Sequence, residues 1–127
     1  MIPYSAITDD IRVTVRPVYL DGRSDVMNRR FVFGYFIRIE NAGPHEVQLL
    51  RRHWYIHDAN GRIQEVEGDG VIGVQPVIAS GEIHEYNSYC VLETFTGFME
   101  GFYLMERERG SRFHVAIPRF DLSAASN

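Results

Sequence analysis

Three glycines in Gly68-Asp69-Gly70-Val71-Ile72-Gly73 follow the order G-x-G-x-x-G. Between a strand and a helix, this spacing lets backbone N–H groups approach a pyrophosphate. Here the run continues into Val74-Gln75-Pro76, which opens no helix of useful length, and Glu65, Glu67 and Asp69 bring negative charge to the place a phosphate would occupy. A strand-to-strand crossover needing glycines for positive φ or a bulge is the better account. Gly68, Gly70 and Gly73 remain the candidate cofactor-type residues for an anion, with Arg51, Arg52 or Arg62 to supply positive charge.

The alternation of Glu65, Glu67 and Asp69 puts three carboxylates on one face of an extended chain, the oxygen donors a hard cation such as Mg²⁺ accepts. Their backbones are roughly 6 to 7 Å apart on a strand, so a solvated acidic face is expected and no metal ligands are assigned. His53 and His57 would sit about 13 Å apart on a strand, and no second close histidine or cysteine completes a zinc set. They read as anchors of a hairpin, with ring N–H groups hydrogen-bonded. Cys90, the sole cysteine, has no neighbouring cation in sequence and is expected in the core rather than as a nucleophile. No nucleophile elbow, Walker loop or paired-cysteine motif occurs, so neither an enzyme nor a bound cofactor is expected.

A β framework must position these residues. Ile11, Val13, Val15, Pro17 and Tyr19 alternate with Arg12, Thr14 and Arg16, the two-residue period of a half-buried strand. Pro17 places it at an edge or a bulge, since proline cannot donate to the ladder. Phe31, Phe33, Tyr35, Ile37 and Ile39 share one face of the next strand while Val32, Gly34 and Phe36 open the other, which marks a central strand. After the turn Asn41-Ala42-Gly43-Pro44, a strand from about His45 to His57 offers Val47, Leu49, Leu50, Trp54, Tyr55 and Ile56 to the core. Asp58-Ala59-Asn60-Gly61 then folds the chain back as a hairpin through 62–66. Further strands are expected over 83–92, 98–106 and 113–117. Residues 1–10 read as a loosely held opening segment and 123–127 as a disordered tail. The sum is an all-β protein, an antiparallel β-sandwich of about seven strands in the immunoglobulin or fibronectin type III style. At 127 residues it forms one domain, 1–127, with its core over about 11–122.

Charge is uneven along the chain. Every basic residue is an arginine, and 63–106 holds eight acids and no arginine. That acidic middle makes nucleic acid a poor partner, because such binding needs a basic footprint. Apolar runs are too short for a membrane span, and Met1-Ile2-Pro3-Tyr4 opens no charged and apolar leader. A single cysteine suits a reducing cytoplasm.

Gln48-Leu49-Leu50-Arg51-Arg52-His53-Trp54, Asp58-Ala59-Asn60-Gly61, the run Glu65 to Pro76, Leu92-Glu93-Thr94, Gly97-Phe98-Met99-Glu100-Gly101 and Ile117-Pro118 together resemble the signature of the bacterial ApaG proteins, over about Ile11 to Leu122. The resemblance implies a fibronectin type III-like sandwich. It also implies an association with cobalt resistance and magnesium efflux, and a kinship with domains of eukaryotic F-box proteins that look like protein-interaction modules. The expectation is a cytoplasmic binding module engaging an unidentified protein partner, through surplus aromatics among Phe36, Tyr86, Tyr89, Phe95, Phe98, Phe102 and Tyr103. The competing expectation is a phosphate-containing ligand, pyrophosphate or nucleotide, or a divalent metal, on the Gly68–Gly73 loop.

Overall fold

The computed structural model describes residues 3–125. Met1, Ile2, Ser126 and Asn127, onto which the readings of an opening segment and a tail extend, lie outside the described residues.

Nine strands, β1 (Tyr4–Thr8), β2 (Ile11–Tyr19), β3 (Phe31–Asn41), β4 (Val47–Asp58), β5 (Ile63–Asp69), β6 (Val77–Ile78), β7 (Ile83–Leu92), β8 (Thr96–Arg107) and β9 (Arg112–Ser123), form two antiparallel sheets. One sheet runs β1-β2-β3-β7 and the other β5-β4-β8-β9, with β6 also on β4. The fold is the expected all-β antiparallel sandwich, with two more strands than anticipated. Both additions are short and lack a sequence period of their own. β1 exists because Tyr4 to Thr8 pair one for one with Val15 to Ile11, where a loosely held segment was expected. β6 exists because Val77 and Ile78 pair with Gln48 and Val47.

The longer strands follow the expected alternation. Phe31 through Tyr35 are buried on both faces of β3, as an interior strand requires. β1 ends opposite Val15, so Pro17 has a strand partner only in Tyr35 of β3 and its missing N–H falls on the open side. β9 does not stop at Pro118 but continues to Ser123, because the register shifts between Met99 and Gly101 and leaves proline in a bulge. Ala124 then donates its N–H to the Phe95 carbonyl. At the Asn60-Gly61 turn only Gly61 takes positive φ, and Gly61 N–H bonds the Asp58 carbonyl. The connection is therefore a type I turn closed by a glycine bulge rather than a two-residue primed turn.

Tyr35, Trp54 and Phe120 meet at the centre, with ring centroids 5.4 to 5.9 Å apart. The sheets close together along β1, β2 and β9, where Tyr4 packs on Phe120 and Ala116 N–H bonds Thr8 Oγ1. Along the other flank, the edges β5 and β7 are bridged by the Gln64 side-chain amide, which donates to the Val91 carbonyl at 3.3 Å. That flank is where the functional candidates gather.

Candidate functional site

A bulge in β4 organises the glycine run. The pairing of β4 with β8 slips between Leu49 and Arg51, so inward-facing positions change from odd (Val47, Leu49) to even (Trp54, Ile56). The slip moves two expected core residues, Leu50 and Tyr55, off the buried face, and turns Arg52 toward the inner layer. It also frees the Leu50 carbonyl, which accepts Gly70 N–H at 2.8 Å and the Gln75 amide at 2.9 Å. β5 and β6 both pair antiparallel with β4 and are one edge interrupted opposite this bulge. The interruption is Gly70 to Pro76.

Within it, Val71 and Val74 exchange both backbone hydrogen bonds, and Ile72 and Gly73 between them have φ of 46° and 76°. Two successive positive φ values make a type I′ turn. Each glycine has a local reason. A Cβ on Gly68 would stand 3.1 Å from the Arg52 guanidinium, and one on Gly70 would collide with the Val74 carbonyl oxygen at 2.1 Å. Gly73 supplies the turn. The amides of Gly70, Val71 and Val74 are engaged internally, while Arg52 Nη1 donates to the carbonyls of Asp69 and Gly70, both at 3.0 Å.

The three acids of β5 meet His53 and Arg51 rather than one another. Glu65 accepts a hydrogen bond at 2.9 Å from one ring nitrogen of His53, and Glu67 lies 3.2 Å from the other. Asp69 pairs with Arg51. Among the described residues no group of three His, Cys, Asp or Glu is placed to hold a metal ion. Arg62 lies at the far end of β5, paired with Asp58 and Glu93, too far along the strand to serve the glycine run. His57 stacks on Phe98 at 4.0 Å, and its Nε2 lies 3.3 Å from Glu100 Oε2. The aromatic surplus does not gather in one patch. Phe98 and Phe102 cover the outer face of the β4–β8 pair, Phe36 is outside β3 beneath Arg16, Tyr103 is wholly buried, and Tyr89 lies on β7.

What the structure does bring together is a cleft of about 580 Å³ between β5 and β7, floored by Tyr35, Trp54, Tyr86 and Cys90 and overhung by the Val71–Val74 hairpin. Sequence reading missed it, although one signal was present. The row Tyr86, Ser88, Cys90 on the inner face of β7 is too polar for a closed core. Burial pushes the Tyr35 hydroxyl up to about 12 and the Cys90 thiol up to about 12. Tyr86 is raised further by burial, partly offset by its hydrogen bond to Tyr103. These groups stay protonated at neutral pH.

No helix among the described residues is long and apolar enough to cross a membrane. The family model for the ApaG domain matches residues 21–107. The chain is 53% identical over 121 residues to protein ApaG of Paramagnetospirillum magneticum, covering 95% of this chain and 93% of that one. It is 52% identical, with the same coverage, to protein ApaG of Rhodospirillum centenum. The crystal structure of an ApaA protein from Bordetella pertussis superposes with a TM-score of 0.89 at 43% identity, over 93% of this chain and 96% of that one. With its Gly68–Gly73 run, its β4 signature and its sandwich all accounted for, the chain belongs to the ApaG family.

Proposed function

We propose that this ApaG-family chain is a non-enzymatic cytoplasmic binding module that docks an extended segment of a protein partner along β7, over the cleft. The observation that carries it is the position of β7, a ten-residue strand at the edge of its sheet. A long edge strand presents unpaired N–H and C=O groups and is a template for strand addition. No lysine or proline blocks it, and Tyr89, 59% exposed, stands beside the cleft as an aromatic anchor. The hydroxyls and thiol inside are held protonated, which suits recognition better than covalent chemistry. On this account the association of bacterial relatives with cobalt resistance and magnesium efflux runs through a captured protein.

Affinity capture from native lysate tests it, comparing wild type with Tyr89→Ala and with Phe102→Ala on the opposite face. The docking account expects a retained protein that Tyr89→Ala loses and Phe102→Ala keeps. The reverse pattern would sink it.

A second reading keeps a phosphate-containing ligand on Gly68, Gly70 and Gly73. In its favour, the amides of Ile72 and Gly73 at the hairpin tip are not used inside the loop. Against it stand the engaged amides of Gly70, Val71 and Val74. Titration with pyrophosphate while following the Ile72 and Gly73 amides by NMR decides, and unmoved resonances at saturating ligand remove the reading.

A further inference from the structure

We infer that the cleft is a carboxylate-recognition site with Arg52 as its cation, taking the C-terminal carboxylate of a polypeptide whose last side chain is apolar or aromatic. The inference rests on β7 as the docking edge and gives the partner's chemistry. Its first support is charge. Arg52 faces the inner layer because of the Leu50 bulge, and both of its hydrogen bonds come from Nη1 and go to uncharged carbonyls. Nε and Nη2 have no partner among the described residues. Asp69, the one acid on the cleft wall, is committed to Arg51. A planar guanidinium with a free N–H pair matches the two oxygens of a carboxylate.

Donor counting gives the second support. Tyr86 and Tyr103 share one hydrogen bond at 2.5 Å, and the Tyr35 and Ser88 hydroxyls line the same cleft. The Tyr86–Tyr103 pair has two O–H protons, and its own bond uses one. No acceptor among the described residues takes the other. With the unpartnered Nε and Nη2 of Arg52, that O–H gives the cleft donors for an anion to accept from. Trp54, Ile56, Val66, Val71 and Ile72 add apolar wall beside the Gln64 amide.

Shape supplies the third. At about 580 Å³ the cleft has the size of a small-ligand site. It is bounded at one end by the Val71–Val74 hairpin and at the other by the Gln64 to Val91 bridge. A chain cannot thread through it but can enter by its end. At the lip, Ile72 is a β-branched residue held at φ 46° and 61% exposed, a strained apolar contact where the ligand's last side chain would pass.

Trp54 is the only tryptophan and lines the cleft, so its fluorescence reports occupancy, with amide NMR shifts locating the ligand. The probes are the peptide acetyl-Val-Thr-Val-Thr-Phe with a free carboxylate, the same peptide amidated, and N-acetyl-phenylalanine. In wild type the free-acid peptide is expected to bind about tenfold or more tightly than its amide, the size of a charge-assisted hydrogen bond. In Arg52→Gln that ratio falls to near one, and in Tyr86→Phe it falls severalfold. The Tyr86 variant carries the test if Arg52→Gln fails to fold, since Arg52 also holds the glycine loop. Equal binding of acid and amide overturns the carboxylate site, while shifts along β7 would leave the docking edge standing. N-acetyl-phenylalanine binding as tightly as the peptide overturns the polypeptide terminus as its source. Binding by none of the probes overturns both.

Discussion

Arg52 and Asp69 meet through the main chain: the guanidinium of Arg52 donates to the carbonyl oxygen of Asp69 at 3.0 Å, while the Asp69 carboxylate turns away to Arg51. Two consecutive arginines thus hold the end of β5 from opposite faces. Arg51 neutralises the acid outside, and Arg52 stays inside without a carboxylate of its own. The edge that looks like a nucleotide loop in sequence is built around that division.

The glycine run should respond to substitution by position. Gly70→Ala drives a Cβ into the Val74 carbonyl oxygen at 2.1 Å and also strains φ at +61°, so it should cost clearly more than the about 1 to 2 kcal/mol of a left-handed alanine. Gly73→Ala meets no atom within 4 Å and should cost about that strain alone. Urea denaturation of both variants checks the order.

Ile72 should be a stabilisable position. A β-branched residue at φ 46° is replaced with advantage by asparagine, which tolerates the left-handed region and completes the Asn-Gly preference of a type I′ turn. Ile72→Asn is expected to raise stability by about 1 kcal/mol while weakening any ligand that uses the lip. Thermal unfolding and a binding titration on one preparation read both effects, and an unchanged or lowered stability contradicts the strain assignment.

Cys90 should be almost inert in the native state. Its thiol, ordinarily near 9.0, is pushed to about 12 chiefly by burial, which lowers the thiolate fraction roughly a thousandfold. Alkylation by iodoacetamide at mildly alkaline pH, followed by intact mass, should be slower by about that factor than in denatured protein. Rapid native labelling would contradict a closed cleft floor.

Asp58 gives a pH signature of opposite sign to an ordinary paired carboxylate. Burial is the leading cause and raises its pKa above the ordinary 3.8, with Arg62 pulling it back. The folded state then binds the proton more readily than the unfolded chain, so this group's contribution falls as pH rises from 3.8 through the raised native value. Asp58→Asn removes the titration, and its stability relative to wild type should climb with pH across that window. A constant difference between the two melting profiles would show that Asp58 is not perturbed.

Much of the framework was legible in sequence because two-residue alternation survives wherever one face is buried. Ile11 to Tyr19 and Tyr35 to Ile39 are the clear cases. β1 and β6 were not legible, since Tyr4–Thr8 and Val77–Ile78 become strands only by pairing with β2 and β4. The site was hidden by parity. Counting by twos along β4 cannot say that Arg52 faces inward, because the bulge at Leu50 shifts the count by one. The cleft itself lies between the β5 and β7 edges, a relation between two sheets that no local pattern encodes. Only the polar row Tyr86, Ser88, Cys90 hinted that the inner face of β7 is not sealed.

The most direct test of β7 and its cleft as the recognition surface is hydrogen exchange of the backbone amides, with and without the protein captured from lysate. Docking along the edge predicts new protection confined to alternate amides of 83–92 and to the 71–74 hairpin. Protection on the outer face around His53, Phe98 and Phe102, with β7 exchanging as in the free protein, would contradict it.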